Sequence, residues 1–269
     1  AARADLPAVP APTPAWGLGP AAGGTPRIRL PGACRGPRSD APVGVFQQCA
    51  TVDLLAGGRA EIMAGRGSFI ESFPLFGYEL TDYDRLFSEK LELLLAVREK
   101  ERVTWAGKHR APLADQLIYP RPVQGRIPIW IAVGGTPKSA VRAARLGLPM
   151  ALAIVGGEPA RLAPIVELYR THAAATGHKL PDAAVSINSH VYVANNPEAA
   201  ADEFFPHYAE VMTRIGRGRG GPGLTRHQFD VAGSPRGPLL GGIPEEGTEK
   251  ISGHHKLFRT DGFFSQLRF

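Results

Sequence analysis

Strand-like and helix-like segments alternate along most of this 269-residue chain, and this alternation restricts the possible folds more than any other feature. Strand-then-helix units begin at four places, namely Ala60, Ile127, Met150 and Val185. A strand that is followed by a helix and then by another strand is typical of a parallel sheet with crossover helices. The alternation therefore predicts an α/β fold, although it does not distinguish a closed barrel from an open sheet.

The individual elements follow from the periodicity of the apolar residues. The pattern predicts strands over residues 60–64, 127–133, 150–155, 185–193 and 262–267. It predicts helices over residues 45–55, 81–98, 158–175, 197–215 and 244–258, and a further helix that begins at Pro137. Residues 216–238 are rich in Gly, Arg and Pro and are predicted to form a loop.

The predicted strand at residues 185–193 carries different side chains on its two faces. One face holds mainly Val and Ile, whereas the other holds Ser186, Asn188, His190 and Tyr192. An open doubly wound sheet is covered by helices on both sides, which favours apolar residues on both faces. A polar face favours a barrel lumen near a ligand site. An edge strand with one solvated face is the alternative explanation.

The overall composition argues against several classes of function. The formal net charge of +6 is spread over single arginines, which argues against a nucleic-acid partner. The two cysteines, Cys34 and Cys49, form no CxxC pair and no metal-binding spacing. We therefore expect no metal site and a reducing, cytoplasmic location. No run of about 18 apolar residues is present, so no membrane span is expected.

The first 42 residues differ in composition from the rest of the chain. They are rich in Ala, Pro, Gly and Arg and show little apolar periodicity. Such a segment buries little surface, so residues 1–42 are predicted to be disordered or loosely attached. Residues 43–269 are predicted to form the α/β domain.

A glycine-flanked turn follows the predicted strand at residues 60–64. It consists of Gly65, Arg66, Gly67 and Ser68. In parallel α/β folds, the loops after the carboxyl ends of the strands bind the ligand. Arg66 would supply a charge-assisted contact to a phosphate group.

A second glycine-containing turn follows the strand at residues 127–133. Its sequence is Gly134-Gly135-Thr136-Pro137-Lys138-Ser139. Glycines permit close approach of a ligand to the backbone, and the first-turn amides of Lys138 and Ser139 are expected to lack helical partners. The hydroxyls of Thr136 and Ser139 would add further donors. An ordinary Thr-Pro helix start after an ordinary loop is the alternative explanation. The turn matches neither a Walker loop nor the GxGxxG motif.

Other polar residues give weaker indications of function. Asn188 and His190 are candidates for a substrate pocket, because they share the polar face of the predicted strand. The alternative for His190 is a hydrogen-bonded core histidine. No nucleophile elbow and no triad spacing is visible, so no catalytic residue is assigned.

Several ordered motifs resemble those of the bacterial-luciferase-like family of flavin-dependent oxidoreductases. The resembling segments are residues 45–48, 53–55, 58–69, 119–124 and 128–137. The resemblance covers residues 43–215 well and residues 236–269 more loosely.

This resemblance implies a (β/α)8 TIM barrel that binds the phosphate of FMN at its C-terminal face. The matching cofactor-binding positions here are Arg66, Gly67, Gly134, Gly135, Thr136 and Ser139. The resemblance also implies a monooxygenase that uses reduced FMN from a separate flavin reductase, and molecular oxygen, to oxidise a small organic substrate. Homodimers are usual in the family, and some relatives use a deazaflavin instead of FMN.

The N-terminal part of the chain departs from the family pattern. The family has two strand-helix units and a third strand before the segment that begins at Val45. Here residues 27–30 fit the start of the third strand, residues 31–38 do not fit, and residues 40–45 fit again. This loss and return of the match suggests a disturbed reading frame in the coding sequence.

The barrel is accordingly expected to be incomplete, with its first two to three strands missing or altered. These strands carry acid-base residues in the family, which is a second reason for assigning no catalytic residue. An inactive fragment that retains only phosphate-ligand binding is therefore a further hypothesis.

Overall fold

The structure is a computed structural model that describes residues 2–5, 24–32, 41–66, 73, 76–178, 185–217 and 221–267. The described residues form an α/β fold, as the alternation predicts. They fall into two compact units, of which the first extends essentially to Ala132 and the second begins at Val133. Among the helices in these ranges, none combines the length and the apolar character needed to cross a membrane.

The first unit combines a parallel sheet with two long helices and a hairpin. Its elements are β1 (Ala2–Asp5), β2 (Leu30–Gly32), α1 (Pro42–Leu55), β3 (Ala60–Ala64), α2 (Tyr83–Glu99), β4 (Arg102–Trp105), β5 (Leu113–Leu117) and β6 (Ile129–Val133), with a 3₁₀ turn at Leu80–Asp82. Strand β3 pairs in parallel with β2 on one side and with β6 on the other. All residues of β3 are buried, so it is the central strand of this sheet. Strands β4 and β5 pair with each other in antiparallel orientation.

Helices α1 and α2 pack against each other through buried apolar side chains. Helix α1 buries Phe46 and Val52, and α2 buries Leu86, Leu93 and Val97. The apolar positions of α2 recur at the spacing of one helix face, which is the pattern that predicts this helix from the sequence.

The N-terminal segment contributes to the core of the first unit where it is described. Leu30 lies in a buried cluster with Val52, Ala56 and Ala60, and Ile28 packs against this cluster. Strand β2 begins within the part of the segment that resembles the family's third strand. Much of the predicted disordered region, namely residues 6–23 and 33–40, lies outside the described residues.

The second unit is built around a long parallel strand. Its elements are α3 (Pro137–Arg145), β7 (Met150–Ala153), α4 (Ala163–Ala175), β8 (Val185–Val193), α5 (Pro197–Arg217), α6 (Arg226–Gly233), β9 (Leu240–Gly242), α7 (Pro244–Phe258) and β10 (Gly262–Leu267), with a 3₁₀ turn at Pro159–Leu162. Strand β8 pairs in parallel with β7, with β9 and with β10. The bounds of β3, β8, α7 and β10 match the predicted ranges.

The prediction of a loop over residues 216–238 is wrong. The structure contains helix α6 within this range, and β9 begins at Leu240, just beyond the end of the range. Thr225 and Gln228 form a capping box, in which each side chain bonds the other's backbone amide. This Thr-x-x-Gln spacing was a local signal for a helix start, which the glycine-rich composition obscured.

The polar face of β8 is buried, but a helix covers part of it. Ser186, Asn188 and His190 are all at most 8% exposed, which excludes a solvated edge. The His190 ring lies edge-on to Tyr208 of α5, with ring centroids 5.4 Å apart. Tyr192 likewise stacks on a phenylalanine of α5. His190 and Tyr192 thus pack against aromatic residues of α5, and the interpretation of this face as a barrel lumen stays a prediction.

Candidate cofactor site

The strand that leads to the second glycine turn is buried except at Ala132, which is half-buried. Ile127, Ile129, Ile131 and Val133 are each at most 1% exposed, as the apolar run predicts. The chain then reaches the surface at Gly134, which is exposed and would have open space around an added Cβ. The turn that follows strand β6 therefore lies at the surface, where the backbone of the turn is accessible to a ligand.

Gly135 is required by the local backbone conformation. Its φ angle is +91°, which a residue with a side chain rarely adopts. A Cβ at this position would also lie 3.2 Å from Leu162 Cδ2. The second glycine therefore allows the chain to turn sharply between β6 and α3.

Thr136 and Pro137 begin α3 as the sequence predicts. Thr136 has an extended backbone and is the N-cap, and Pro137 occupies the first turn. The Thr136 side chain makes no capping hydrogen bond. Its hydroxyl is therefore not used by the helix start and can serve a ligand.

The prediction for the amide of Ser139 is wrong. This N–H donates to the carbonyl oxygen of Thr136 over 3.0 Å, so it is already satisfied within the turn. The Ser139 side chain is 6% exposed and makes no hydrogen bond to another described residue. The burial of this side chain leaves the Thr136 hydroxyl and the Lys138 amide as the more accessible donors.

The start of α3 fits a phosphate group. The first turn contains no acidic residue, and it carries the partial positive charge of a helix N-terminus. Thr136 supplies a hydroxyl, Lys138 supplies an amide, and Gly134 leaves room for close approach. These are the groups that bind anions at helix N-termini in general.

Arg66 follows β3 and already has partners within the first unit. Its Nη1 atom donates to Asp84 Oδ1 over 3.0 Å. Its Cζ atom lies 5.1 Å from the centroid of the Tyr83 ring. Thr136 and Ser139 belong to the second unit, and Gly67 lies outside the described residues. That Arg66 contacts the same phosphate as Thr136 and Ser139 stays a prediction.

The assignment of Asn188 and His190 to a substrate pocket also stays a prediction. The backbone carbonyl of Asn188 accepts from the amide of Ile154 over 2.9 Å, which joins β7 to β8. On the other face of β8, the Ser189 hydroxyl donates to the carbonyl oxygen of Pro238. The sequence pattern gave no sign of this bond, because Ser189 falls among aliphatic residues.

Two of the ionisable groups with the most strongly shifted pKa values are held inside the fold by packing or backbone contacts. Burial, and secondarily the charge of Asp53, raises the pKa of Cys49 to about 12, so this thiol is a poor nucleophile. Burial lowers the pKa of Lys250 to about 8, while its Nζ atom donates to backbone carbonyls that include those of Gly233 and Ser234. Neither group is a candidate acid or base for catalysis, and no catalytic residue is assigned.

Basic side chains donate hydrogen bonds to the carbonyl groups at the carboxyl ends of several helices. Arg121 donates to carbonyls at the end of α2, Arg170 donates to those at the end of α7, and Lys250 donates to those at the end of α6. Cations are favourable at these positions because the carbonyls carry partial negative charge. Part of the basic excess of the chain therefore serves helix capping.

A comparison with protein families identifies the chain. The model described as luciferase-like monooxygenase matches residues 3–255, which is most of the sequence. The chain belongs to the luciferase-like monooxygenase family. The predicted resemblance to this family is therefore confirmed.

The curated relatives resemble this chain over only part of their own length. An F420-dependent glucose-6-phosphate dehydrogenase of Amycolatopsis mediterranei is 32% identical over 109 residues, which are 39% of this chain and 32% of the relative. An uncharacterized protein of Mycobacterium tuberculosis is 29% identical over 122 residues, which are 45% of this chain and 43% of the relative. The matched segments thus span from about a third to less than half of these relatives.

Solved structures show the fold over nearly the whole chain. The monooxygenase RslO1 of Streptomyces bottropensis superposes with a TM-score of 0.76 at 25% identity, over 96% of this chain and 76% of that protein. The oxygenating constituent of 3,6-diketocamphane monooxygenase of Pseudomonas putida, in complex with FMN, gives a TM-score of 0.71 at 16% identity, over 99% of this chain and 82% of that protein.

An F420-dependent secondary alcohol dehydrogenase also gives a TM-score of 0.71, at 15% identity, over 94% of this chain and 78% of that chain. At 15% and 16% identity, the dehydrogenase and the FMN complex show the fold alone. The α/β fold of luciferase-like TIM-barrel type is therefore confirmed.

Proposed function

We propose that this protein is a flavin-dependent monooxygenase that oxidises a small organic substrate with reduced FMN and molecular oxygen. The observation that carries the proposal is the start of α3, where an unused threonine hydroxyl and an exposed glycine adjoin the positive end of a helix. This arrangement suits the phosphate of FMN. Membership of the luciferase-like monooxygenase family supports the same reaction class.

In this proposal, the residues of α3 bind the cofactor by its phosphate. Thr136 donates its hydroxyl, Lys138 donates its amide, and the backbone at Gly134 and Gly135 allows close approach. Arg66 adds a charge-assisted contact to the cofactor's phosphate. FMN, once bound, supplies the two-electron redox chemistry that reacts with oxygen. A separate flavin reductase provides the reduced cofactor, and the functional form is a homodimer.

A deazaflavin cofactor is the second candidate, and one observation favours it. The curated relative at 32% identity is named as an F420-dependent enzyme. Deazaflavin coenzymes also carry phosphate, so the start of α3 suits them for the same physical reason. In that case the protein is an oxidoreductase that acts without oxygen, and its organic substrate exchanges a hydride with the cofactor.

Titration of the purified protein separates these two candidates. We expect FMN to bind more tightly than a deazaflavin coenzyme, as followed by cofactor fluorescence. Thr136→Val should weaken binding about tenfold, because it removes a hydrogen bond to a charged group. Thr171→Val, at an exposed position of α4, is the matched control and should bind like the parent protein.

Each outcome of the titration has a clear meaning. Tighter binding of the deazaflavin selects the second candidate. Unchanged affinity of Thr136→Val for both cofactors rejects the start of α3 as the phosphate site. Cofactor binding without conversion of candidate substrates, both with reduced FMN and oxygen and with a deazaflavin, favours the fragment that only binds a phosphate ligand.

A further inference from the structure

Arg66 is engaged by two adjacent residues of α2. Its Nη1 atom donates to Asp84 Oδ1 over 3.0 Å, and its guanidinium carbon lies 5.1 Å from the Tyr83 ring centroid. Tyr83 and Asp84 are the first two residues of α2, so the start of one helix provides both contacts. The contact with Asp84 involves one nitrogen of the guanidinium, and the contact with Tyr83 involves its face.

The ion pair between Arg66 and Asp84 is exposed and therefore exchangeable. The side chain of Asp84 is 60% exposed, and that of Arg66 is 21% exposed. Exposed ion pairs are weak, and their strength corresponds to a factor of about two to five in an equilibrium constant. A phosphate group carries more negative charge than a carboxylate and can accept two parallel hydrogen bonds from one guanidinium, whereas Asp84 accepts from a single nitrogen here, so phosphate is the stronger ligand.

The position of Asp84 in its helix favours the carboxylate at this place. The first turn of a helix stabilises a negative side chain through the partial charge of the unsatisfied amides. Asp84 is the acidic residue of the first turn of α2. The carboxylate of Asp84 thus lies next to Arg66, the arginine that is expected to bind the cofactor phosphate.

We propose that Asp84 competes with the cofactor phosphate for Arg66. Without cofactor, the Asp84 carboxylate engages the guanidinium, and binding of the phosphate displaces it. Asp84 therefore lowers the cofactor affinity and helps to set the concentration at which the protein is loaded. This inference rests on the proposed function, and specifically on a contact between Arg66 and the cofactor phosphate.

The test is a set of FMN titrations at low ionic strength, followed by flavin fluorescence. Asp84→Asn removes the charge and keeps the shape of the side chain, and it should lower the dissociation constant about two- to fivefold. Glu79→Gln is the matched control, because it removes an equal charge from an exposed nearby residue. In the Arg66→Ala background, Asp84→Asn should have no effect, because the shared partner is absent.

Separate outcomes distinguish this inference from the proposed function. Failure of the parent protein to bind either FMN or a deazaflavin rejects both. If Arg66→Ala binds FMN as tightly as the parent protein, the competition is overturned. The proposed function then rests on phosphate binding at the start of α3 alone. Unchanged or weaker binding in Asp84→Asn shows that the carboxylate does not compete with the phosphate. An equal gain in Glu79→Gln shows a general charge effect and also overturns the competition.

Discussion

Arg121 is predicted to be one of the residues on which the stability of the first unit most depends. Its Nη1 atom donates to the carbonyls of Val97 and Lys100 over 2.9 and 3.2 Å, and its Nη2 atom donates to that of Arg98 over 2.9 Å. Its guanidinium also lies 4.7 Å from the centroid of the buried Phe46 ring. One side chain thus joins the end of α2 to α1.

The magnitude of the effect follows from these contacts. A hydrogen bond from a charged donor contributes about 1.5–3 kcal/mol, although bonds that share one side chain are not additive. The charge at the carboxyl end of the helix contributes about 0.3–1 kcal/mol, and the contact with the ring contributes about 0.5–1 kcal/mol. We expect Arg121→Met to lower the free energy of unfolding by about 3 kcal/mol. Arg121→Lys should recover about 1 kcal/mol, because it keeps the charge but loses the planar fork.

The assay is equilibrium unfolding in urea, followed by far-ultraviolet circular dichroism. Arg85→Met is the matched control, because Arg85 is an exposed arginine of α2. The control should change the free energy of unfolding by less than about 0.5 kcal/mol. If Arg121→Met and Arg85→Met destabilise the protein equally, the reasoning from these hydrogen bonds is refuted.

Three further predictions concern other described residues. Burial, and secondarily a neighbouring lysine, lowers the pKa of His254 to about 4. The unfolded chain therefore binds a proton between about pH 6.5 and 4 that the folded chain does not, and stability should fall by roughly 2–3 kcal/mol as the pH falls through this window. The pH dependence of urea unfolding should be flatter in His254→Leu, and an unchanged slope would contradict the assignment.

Glu89 accepts hydrogen bonds from the amides of residues 108–109 over 2.8 Å each. Glu89→Gln should therefore destabilise the protein by about 1–2 kcal/mol and speed hydrogen exchange of these amides, whereas Glu92→Gln, at an exposed position of the same helix, should not. Gly135→Ala should lower stability by about 1–2 kcal/mol in the same urea assay, because the φ angle of this residue is +91°. If Gly135→Ala is as stable as the parent protein, the turn between β6 and α3 adopts a different backbone conformation in the variant.

Several features of the fold could be predicted because their signals are local. The apolar run before Gly134 predicts β6, and Thr136 with Pro137 predicts the start of α3. In each case, neighbouring residues decide the conformation through burial, capping or a fixed backbone angle. Helix α6 has an equally local signal in the capping box of Thr225 and Gln228, which lies within a Gly-, Arg- and Pro-rich segment whose composition favours a loop.

Other features depend on residues that are distant in the sequence. The bonds of Arg121 to the end of α2 span more than 20 positions, and no periodicity marks them. Nor did the polar face of β8 reveal that α5 covers it, because His190 meets Tyr208 only in the folded chain.

The amino-acid sequence by itself determined the family, most of the longer strands and helices, and the Thr-Pro start of α3. These properties depend on side chains that are neighbours in the chain, whose energies are set locally. Only the tertiary structure decided that Asp84 engages Arg66 and that the Ser139 amide is satisfied by Thr136. The reason is that hydrogen bonds form where donors and acceptors meet in space, and packing of the whole chain sets those positions.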